Sequence, residues 1–259
     1  MKKNFFIIFL LFTLLVNAEK SELIFTTTLL PEKDTVWVFV PEKKSNHNLP
    51  VVFMLHGYSG NYSQWNRIID LQKMANQYQT IIICPDGLFE TWYVDSPVIK
   101  KSKFKTFFFA VLLPSIRNLY KIDERNIFIT GLSMGGFGAL HLFLHKPYVF
   151  RAAASTSGML WLGEMPNRFG LEKIFGTNME VLNSFSIINR IKELRSSNKP
   201  VLIDCGTEDF FYNQHKAFVI KAKNMDYKFV WKAEKGSHNA NYWRKSVQEQ
   251  FSFFANYYK

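Results

Sequence analysis

The chain has 259 residues, of which 47% are hydrophobic and 20% are charged, and its formal net charge is +11. This apolar content excludes a mainly disordered chain, and 13 Gly with 9 Pro exclude collagen-like and proline-rich fibrous classes. Two cysteines are too few for a disulfide scaffold or a cysteine-cluster zinc site.

The first 18 residues have the pattern of a cleavable secretory signal peptide. Lys2 and Lys3 give a positive start, and the apolar run over residues 5–16 is short for a membrane span. We predict cleavage after Ala18, which leaves a secreted or periplasmic chain with no integral membrane segment and a single domain over 19–259. An uncleaved anchor helix is the alternative interpretation of the same run.

The positive charge raises the question of a nucleic-acid partner, but the lysines are scattered along the chain. Their densest cluster, KKSKFK at 100–105, falls in a polar stretch, and such runs are commonly solvated surface. We therefore predict no nucleic-acid partner. Loose attraction to acidic envelope or wall polymers is the alternative, since net charge governs non-specific association.

After the leader, short apolar runs alternate with segments of helical period. The predicted strands are 22–30, 35–40, 51–55, 80–83, 126–130, 151–156, 200–204 and 227–232. The predicted helices are 63–78, 106–120, 134–145, 214–224 and 246–258. This alternation indicates an α/β fold with an eight-stranded, mostly parallel sheet and helices on both faces. The first two strands, joined by a short turn, must pair antiparallel.

The sharpest motif is GLSMG at 131–135, a G-x-S-x-G sequence between a predicted strand and a predicted helix. A turn this tight strains its central residue, and the flanking glycines let the chains pass. The strain lifts the Ser133 hydroxyl clear of the sheet, at the positive end of the next helix. Ser133 is the predicted nucleophile, and a glycine-rich turn that happens to contain serine is the alternative.

A serine hydroxyl needs a base, and in this architecture the acid and the base follow the nucleophile along the chain. His238 is the predicted base, because it lies in the loop after the last strand, from which it can reach Ser133. Asp209 is the predicted acid that orients the imidazole. Glu208 is the alternative acid, since sequence alone separates neighbouring residues poorly.

The reaction also needs N–H donors for a developing oxyanion. The residue after the nucleophile, Met134, supplies one of them. Tyr58, in the loop after the strand 51–55, is predicted to supply the second. Gly57 in the same loop allows close approach of the backbone and is predicted to border the substrate. Ser59 lacks the motif spacing and a following helix of the required kind.

Together these residues resemble the esterase D family of α/β-hydrolases, which includes feruloyl and acetyl-xylan esterases, short-chain carboxylesterases, S-formylglutathione hydrolases and mycolyltransferases. The resemblance runs from about residue 36 to 253 and rests on LHGYSG at 55–60, PDG at 85–87, WYVDSP at 92–97, GLSMGG at 131–136, CGTEDFF at 205–211 and SHNANYW at 237–243. It implies the α/β-hydrolase fold, the triad Ser133, Asp209 and His238, and the oxyanion donors Tyr58 and Met134.

The resemblance also assigns Trp92 and Tyr93 to the pocket wall or its support, with ordinary core packing as the alternative. Ala240 departs from the pattern, because relatives often carry an aromatic residue there, and this suggests a roomier pocket edge. The irregular, apolar segment 159–188 is predicted to cover the pocket, with Trp161 as a substrate-binding residue. Its alternative is a small helical excursion that packs on the domain.

Two free, largely buried thiols are expected. In the usual strand order of this fold, the strands that end at Cys84 and Cys205 are four positions apart, or about 19 Å at ~4.8 Å per strand. A disulfide requires Cα atoms within about 7 Å of each other.

The function that the resemblance implies is an exported serine carboxylic-ester hydrolase that works through an acyl-enzyme, without a metal or organic cofactor. Its substrate would be a small-molecule or polysaccharide-linked ester with a short acyl, acetyl or feruloyl group. One alternative is an S-formylglutathione hydrolase-like thioesterase, which the leader disfavours because that substrate is cytosolic. The other is a non-catalytic binding protein, which would be expected to lose a triad residue. Oligomeric state stays open.

Overall fold

The computed structural model describes residues 20–43 and 46–258, and the predicted signal peptide at 1–18 lies outside these ranges. One eight-stranded sheet, with the strand order β1-β2-β4-β3-β5-β6-β7-β8, forms the centre of this part of the chain. Its strands are β1 (Lys20–Phe25), β2 (Asp34–Phe39), β3 (Leu49–Leu55), β4 (Ile81–Pro85), β5 (Ile122–Gly131), β6 (Ala152–Thr156), β7 (Val201–Gly206) and β8 (Val230–Glu234). Only β1–β2 and β2–β4 pair antiparallel, which confirms the predicted mostly parallel sheet.

Helices follow most of the parallel strands. They are α1 (Gln64–Ile68), α2 (Leu71–Tyr78), α3 (Phe104–Phe107), α4 (Leu113–Leu119), α5 (Met134–His145), α6 (Leu171–Phe175), α7 (Met179–Phe185), α8 (Ile191–Ser196), α9 (Tyr212–Asn224) and α10 (Ala240–Ala255). A π turn (Phe108–Leu112) joins α3 to α4, and two 3-10 turns occur at Leu162–Glu164 and Ile187–Asn189. No helix within the described ranges is long and apolar enough to cross a membrane.

The core lies on both faces of the sheet, as the continuous apolar strands predicted. In β3, Phe53 and Leu55 belong to one hydrophobic cluster, whereas Val52 and Met54 belong to another. Successive strand residues point to opposite faces, so a strand that is apolar throughout needs a cover on each side. Residues of α4 and α5 cover the first face, and residues of α2 and α10 cover the second.

The predicted helix 63–78 is split into α1 and α2, and Asp70 is the cause. Its backbone is extended (φ −64°, ψ 102°), and its carboxylate accepts a hydrogen bond of 2.9 Å from Lys73 N–H. An aspartate at this position satisfies an otherwise free helix donor, so a new helix begins here. The last strand begins later than predicted. Tyr227 N–H donates to Ala222 O and closes the C-terminal end of α9, so β8 begins only at Val230.

Two predictions about particular segments have a clear outcome. Cys84 and Cys205 are free and buried, on strands four positions apart, as expected. The segment 159–188 folds into short helical pieces, and its side chains Met159, Leu160 and Leu162 are fully buried in the core. For these three residues, packing on the domain is therefore the correct interpretation.

Candidate active site

Ser133 sits on a strained turn between β5 and α5, with φ 54° and ψ −116°. The turn is possible because glycines flank it. A Cβ atom on Gly131 would lie 2.2 Å from the carbonyl oxygen of Gly135, and one on Gly135 would lie 2.3 Å from that of Leu55. No side chain fits at either position, so the G-x-S-x-G spacing is a steric requirement of this turn. The turn presents the Ser133 hydroxyl at the N-terminus of α5.

The three predicted triad side chains form one continuous hydrogen-bonded chain. His238 Nε2 lies 3.0 Å from Ser133 Oγ, and His238 Nδ1 lies 2.8 Å from Asp209 Oδ2. The imidazole is 14% exposed and the carboxylate is fully buried. In such an arrangement an imidazole can accept the hydroxyl proton while the carboxylate fixes its tautomer and stabilises its charge.

Asp209, and not Glu208, contacts His238. The other Asp209 oxygen, Oδ1, accepts a hydrogen bond of 2.8 Å from Phe211 N–H. Burial opposes ionisation of this carboxyl group, but hydrogen bonds and the charge of His238 outweigh it and hold the pKa of Asp209 below its usual value. Glu208 is exposed, and its carboxylate accepts from Ser237 Oγ at 3.3 Å. Asp209 is therefore ionised and directed at the imidazole.

Two further residues near Asp209 and His238, Ser157 and Trp243, were not predicted as site residues. The Ser157 hydroxyl is among the groups that lower the pKa of Asp209, and it accepts a hydrogen bond from Trp243 Nε1 at 3.2 Å. The Trp243 indole also packs edge-to-face against the His238 ring, with centroids 5.0 Å apart. Trp243 lies in the SHNANYW motif, which offered a signal. Ser157 follows a strand without any pattern that marks it.

The loop after β3 lies close to Ser133, since a Cβ atom on Gly57 would stand 3.4 Å from Ser133 Cβ. Among the hydrogen bonds of the described residues, none uses the N–H of Tyr58 or of Met134 as donor. The N–H of Gly57, by contrast, donates to Gln64 Oε1 at 2.7 Å and is thereby occupied. Gln64 therefore holds the loop in place through Gly57, and the oxyanion role of the Tyr58 and Met134 N–H groups stays a prediction.

Trp92 and Tyr93 lie in the interior, behind the site. Both are almost fully buried, and both have positive φ angles of 52° and 59°. Trp92 Nε1 donates to Phe169 O at 3.0 Å, and the Tyr93 hydroxyl donates to His56 O at 2.9 Å. The pair therefore fixes the backbone of the segment 159–188 and of the loop after β3 from inside. Their burial fits support of the pocket and ordinary core packing alike, so their role at the pocket stays a prediction.

Trp161 is 36% exposed on the segment 159–188. Its backbone N–H donates to Gln214 Oε1 at 3.1 Å, and its indole N–H lies 3.4 Å from Asn183 Oδ1. These contacts tie Trp161 to α9 and to α7. Its predicted contact with substrate stays a prediction.

A buried carboxylate secures the helix that follows His238. Asp204 in β7 accepts hydrogen bonds from Thr156 Oγ1 (2.6 Å), Ser246 Oγ (2.7 Å) and Gln250 Nε2 (2.8 Å). Burial raises the pKa of Asp204 to about 6. Since Ser246 and Gln250 belong to α10, these bonds dock α10 on β7, the strand that leads to Asp209. In residues 20–43 and 46–258, no group of three or more His, Cys, Asp or Glu side chains is placed to hold a metal ion.

Known structures share this architecture. A ferulic acid esterase superimposes with a TM-score of 0.79 at 22% identity, covering 93% of this chain and 98% of that one. An S-formylglutathione hydrolase from Agrobacterium tumefaciens gives a TM-score of 0.81 at 18% identity, over 92% and 95% of the two chains. At these identities the likeness shows a common α/β-hydrolase fold.

Sequence comparison shows the family in addition to the fold. An acetyl esterase from Caldicellulosiruptor saccharolyticus is 24% identical over 257 residues, an alignment that covers 89% of this chain and 96% of the relative. The model of the Esterase family, whose description is "Putative esterase", matches residues 27–254. The chain therefore belongs to the Esterase family of carboxylic ester hydrolases, as its motifs predicted.

Proposed function

We propose that this chain is an exported serine esterase in which Ser133 is the nucleophile, His238 the general base and Asp209 the orienting acid. One observation carries the proposal: a strained serine, a histidine and an ionised, buried aspartate are joined by hydrogen bonds of 3.0 and 2.8 Å. Separate elements of the chain supply the three groups, and they meet at the carboxyl edge of the sheet, where such sites form.

The geometry supports an acyl-enzyme mechanism. His238 Nε2 takes the Ser133 proton while Oγ attacks the ester carbonyl carbon, and the N–H groups of Tyr58 and Met134 stabilise the oxyanion. The imidazolium then protonates the alcohol oxygen as the C–O bond breaks, which leaves an acyl-serine. Water, deprotonated by the same imidazole, attacks the acyl carbon and releases the acid and the free serine.

The proposed substrates are short-acyl or carbohydrate-linked esters, which include acetyl and feruloyl esters. The similarity to an acetyl esterase over most of both chains supports the acetyl class. Gly57 and Trp161 are proposed to border the substrate, and Trp92 and Tyr93 to support the site from behind. Residues 1–18 are proposed to be a signal peptide, removed after Ala18, and residues 19–259 a single secreted or periplasmic domain. A thioesterase that acts on S-formylglutathione is the second candidate, which the predicted leader disfavours.

The experiment that tests the proposal compares kcat/KM for p-nitrophenyl acetate, p-nitrophenyl octanoate, methyl ferulate and acetylated xylan. A fluorophosphonate probe, followed by peptide mass spectrometry, identifies the reactive serine. We expect turnover of the acetyl or feruloyl esters and labelling at Ser133. The absence of turnover on all four substrates, together with an unlabelled Ser133, would favour a non-catalytic binding protein.

Replacing Ser157 with alanine is expected to lower kcat by about tenfold to hundredfold with little change in KM. The substitution removes a hydroxyl group that lowers the pKa of the charged Asp209, and a polar contact with a charged group contributes about 1.5–3 kcal/mol. Ser155→Ala is the matched control, because the Ser155 hydroxyl is buried near the same strand end and lacks a hydrogen-bond partner among the described residues. Equal effects of the two substitutions in steady-state kinetics would contradict a role for Ser157 in holding Asp209.

A further inference from the structure

A continuous set of aromatic side chains runs from the triad histidine to the loop after β3. We call Phe210, Phe169, Tyr58 and Phe89 the aromatic rim. The Phe210 ring lies against the His238 ring, with centroids 4.3 Å apart and planes at 39°. Phe210 stacks on Phe169 at 6.1 Å, and Tyr58 meets Phe169 and Phe89 edge-to-face at 5.8 and 5.1 Å.

Two aromatic rings of the rim, those of Phe210 and Phe89, are exposed to solvent. Phe210 is 50% exposed and Phe89 is 56% exposed, whereas Phe211, the next residue in the chain, is buried in the core. The two exposed rings are linked through Phe169 and Tyr58, and a connected apolar patch of this kind marks a surface that binds an apolar group. Because Phe211 already anchors this loop, the exposed ring of Phe210 is available for such contact.

The position of Phe210 beside His238 indicates that it contacts the alcohol moiety of an ester. In the proposed mechanism His238 Nε2 protonates the alcohol oxygen, so the alcohol moiety must lie within hydrogen-bond reach of this nitrogen. In the same mechanism the carbonyl oxygen faces the N–H groups of Tyr58 and Met134 and not the imidazole. The alcohol that leaves is protonated by the His238 imidazole. It therefore contacts the Phe210 ring, which packs on that imidazole.

We infer that Phe210 determines specificity for the alcohol moiety of the ester and binds alcohols that present a flat apolar face. Such faces occur in aryl and arylalkyl alcohols, and aromatic pairs gain stabilisation beyond their buried area. Phe169, which stacks on Phe210, extends this surface for larger alcohols. The inference rests on the proposed ester hydrolysis at Ser133, since it assigns the leaving group through the role of His238.

The test separates the alcohol side from the acyl side. The variants are Phe210→Ala and Phe210→Leu, and the substrates are ethyl acetate, 2-naphthylmethyl acetate and methyl 2-naphthoate. The ratio of wild-type to variant kcat/KM is formed for each ester, so the intrinsic reactivity of the ester cancels. We expect Phe210→Ala to lose about tenfold or more on 2-naphthylmethyl acetate and less than about threefold on the other two esters.

Tyr148→Ala is the matched control for the loss of an exposed aromatic ring. Tyr148 is 75% exposed and lies beyond the far end of α5, a helix about 18 Å long that starts next to Ser133. We expect this variant to keep wild-type ratios on all three esters. Phe210→Leu retains apolar volume without a flat ring, and it carries the test if thermal unfolding shows that Phe210→Ala does not fold.

Two kinetic results would overturn the inference. An equal loss on all three esters would mean that Phe210 only holds His238 in place, and a loss confined to methyl 2-naphthoate would move the subsite to the acyl side. A titration of the alcohol product 2-naphthylmethanol, followed by NMR, gives a readout that does not need turnover. About tenfold weaker binding by Phe210→Ala supports the subsite and unchanged binding refutes it, even if wild-type protein hydrolyses none of the esters and the proposed function fails.

Discussion

Replacing Ser133 with alanine is expected to lower kcat by on the order of 10⁶ while the protein remains folded. The reason is that nucleophile, base and acid act as a unit, so loss of the nucleophile removes nearly the whole contribution of the triad. The strained turn should survive, because alanine keeps the Cβ atom and the Ser133 N–H still donates to Thr156 O at 3.0 Å. Steady-state kinetics with p-nitrophenyl acetate and thermal unfolding measure the two effects separately.

Ser59→Ala provides the control for this experiment. Ser59 lies in the loop after β3, has a positive φ of 59° and donates its N–H to Phe89 O at 3.0 Å. Its hydroxyl makes no contact with His238 among the described hydrogen bonds, so its loss should have a much smaller effect on kcat. If Ser59→Ala abolished turnover and Ser133→Ala did not, the assignment of the nucleophile would be wrong.

The sheet and the turn at Ser133 could be predicted because they follow from local rules. The predicted helix 134–145 coincides with α5, and the strand 51–55 lies inside β3. An apolar strand without alternation requires a cover on both faces, and this predicts a mostly parallel α/β sheet without knowledge of any contact. The glycine spacing around Ser133 is likewise a local steric condition.

Contacts between distant loops could not be read from the sequence in the same way. Phe210 and Phe211 are identical neighbours, yet one packs on His238 at the surface and the other is buried. Ser157 carries no motif, and its hydroxyl influences Asp209 only because the ends of β6 and β7 adjoin. The burial of Trp92 and Tyr93 behind the site follows from their backbone turn, where φ is positive at both residues. These features depend on loop conformation, which apolar periodicity does not encode.

The choice between Asp209 and Glu208 could be predicted in part from the sequence and depends in part on loop conformation. The sequence places both acids after the same strand, and neighbouring residues point in different directions, so only one of them can reach the imidazole. The hydrogen bond from Phe211 N–H to Asp209 Oδ1 decides the orientation, because it directs the other oxygen at His238 Nδ1.

That same bond predicts the consequence of Asp209→Asn. Phe211 N–H needs an acceptor, so the asparagine carbonyl oxygen should take the place of Oδ1 and its NH₂ group should face His238 Nδ1. A donor at that position forces the imidazole into the tautomer that carries its proton on Nε2. Nε2 then cannot accept the Ser133 proton, and kcat should fall by roughly 10⁴.

Glu208→Gln tests whether the effect belongs to this one carboxylate. The Glu208 side chain is exposed and contacts Ser237 and Lys235, so its neutral isostere should change kcat far less than Asp209→Asn does. Parallel kcat and KM measurements on p-nitrophenyl acetate should show the loss in Asp209→Asn almost entirely in kcat, because the tautomer governs the chemical step and leaves the substrate contacts in place. A larger loss in Glu208→Gln would transfer the role of the acid to Glu208 and contradict the orientation imposed by Phe211 N–H.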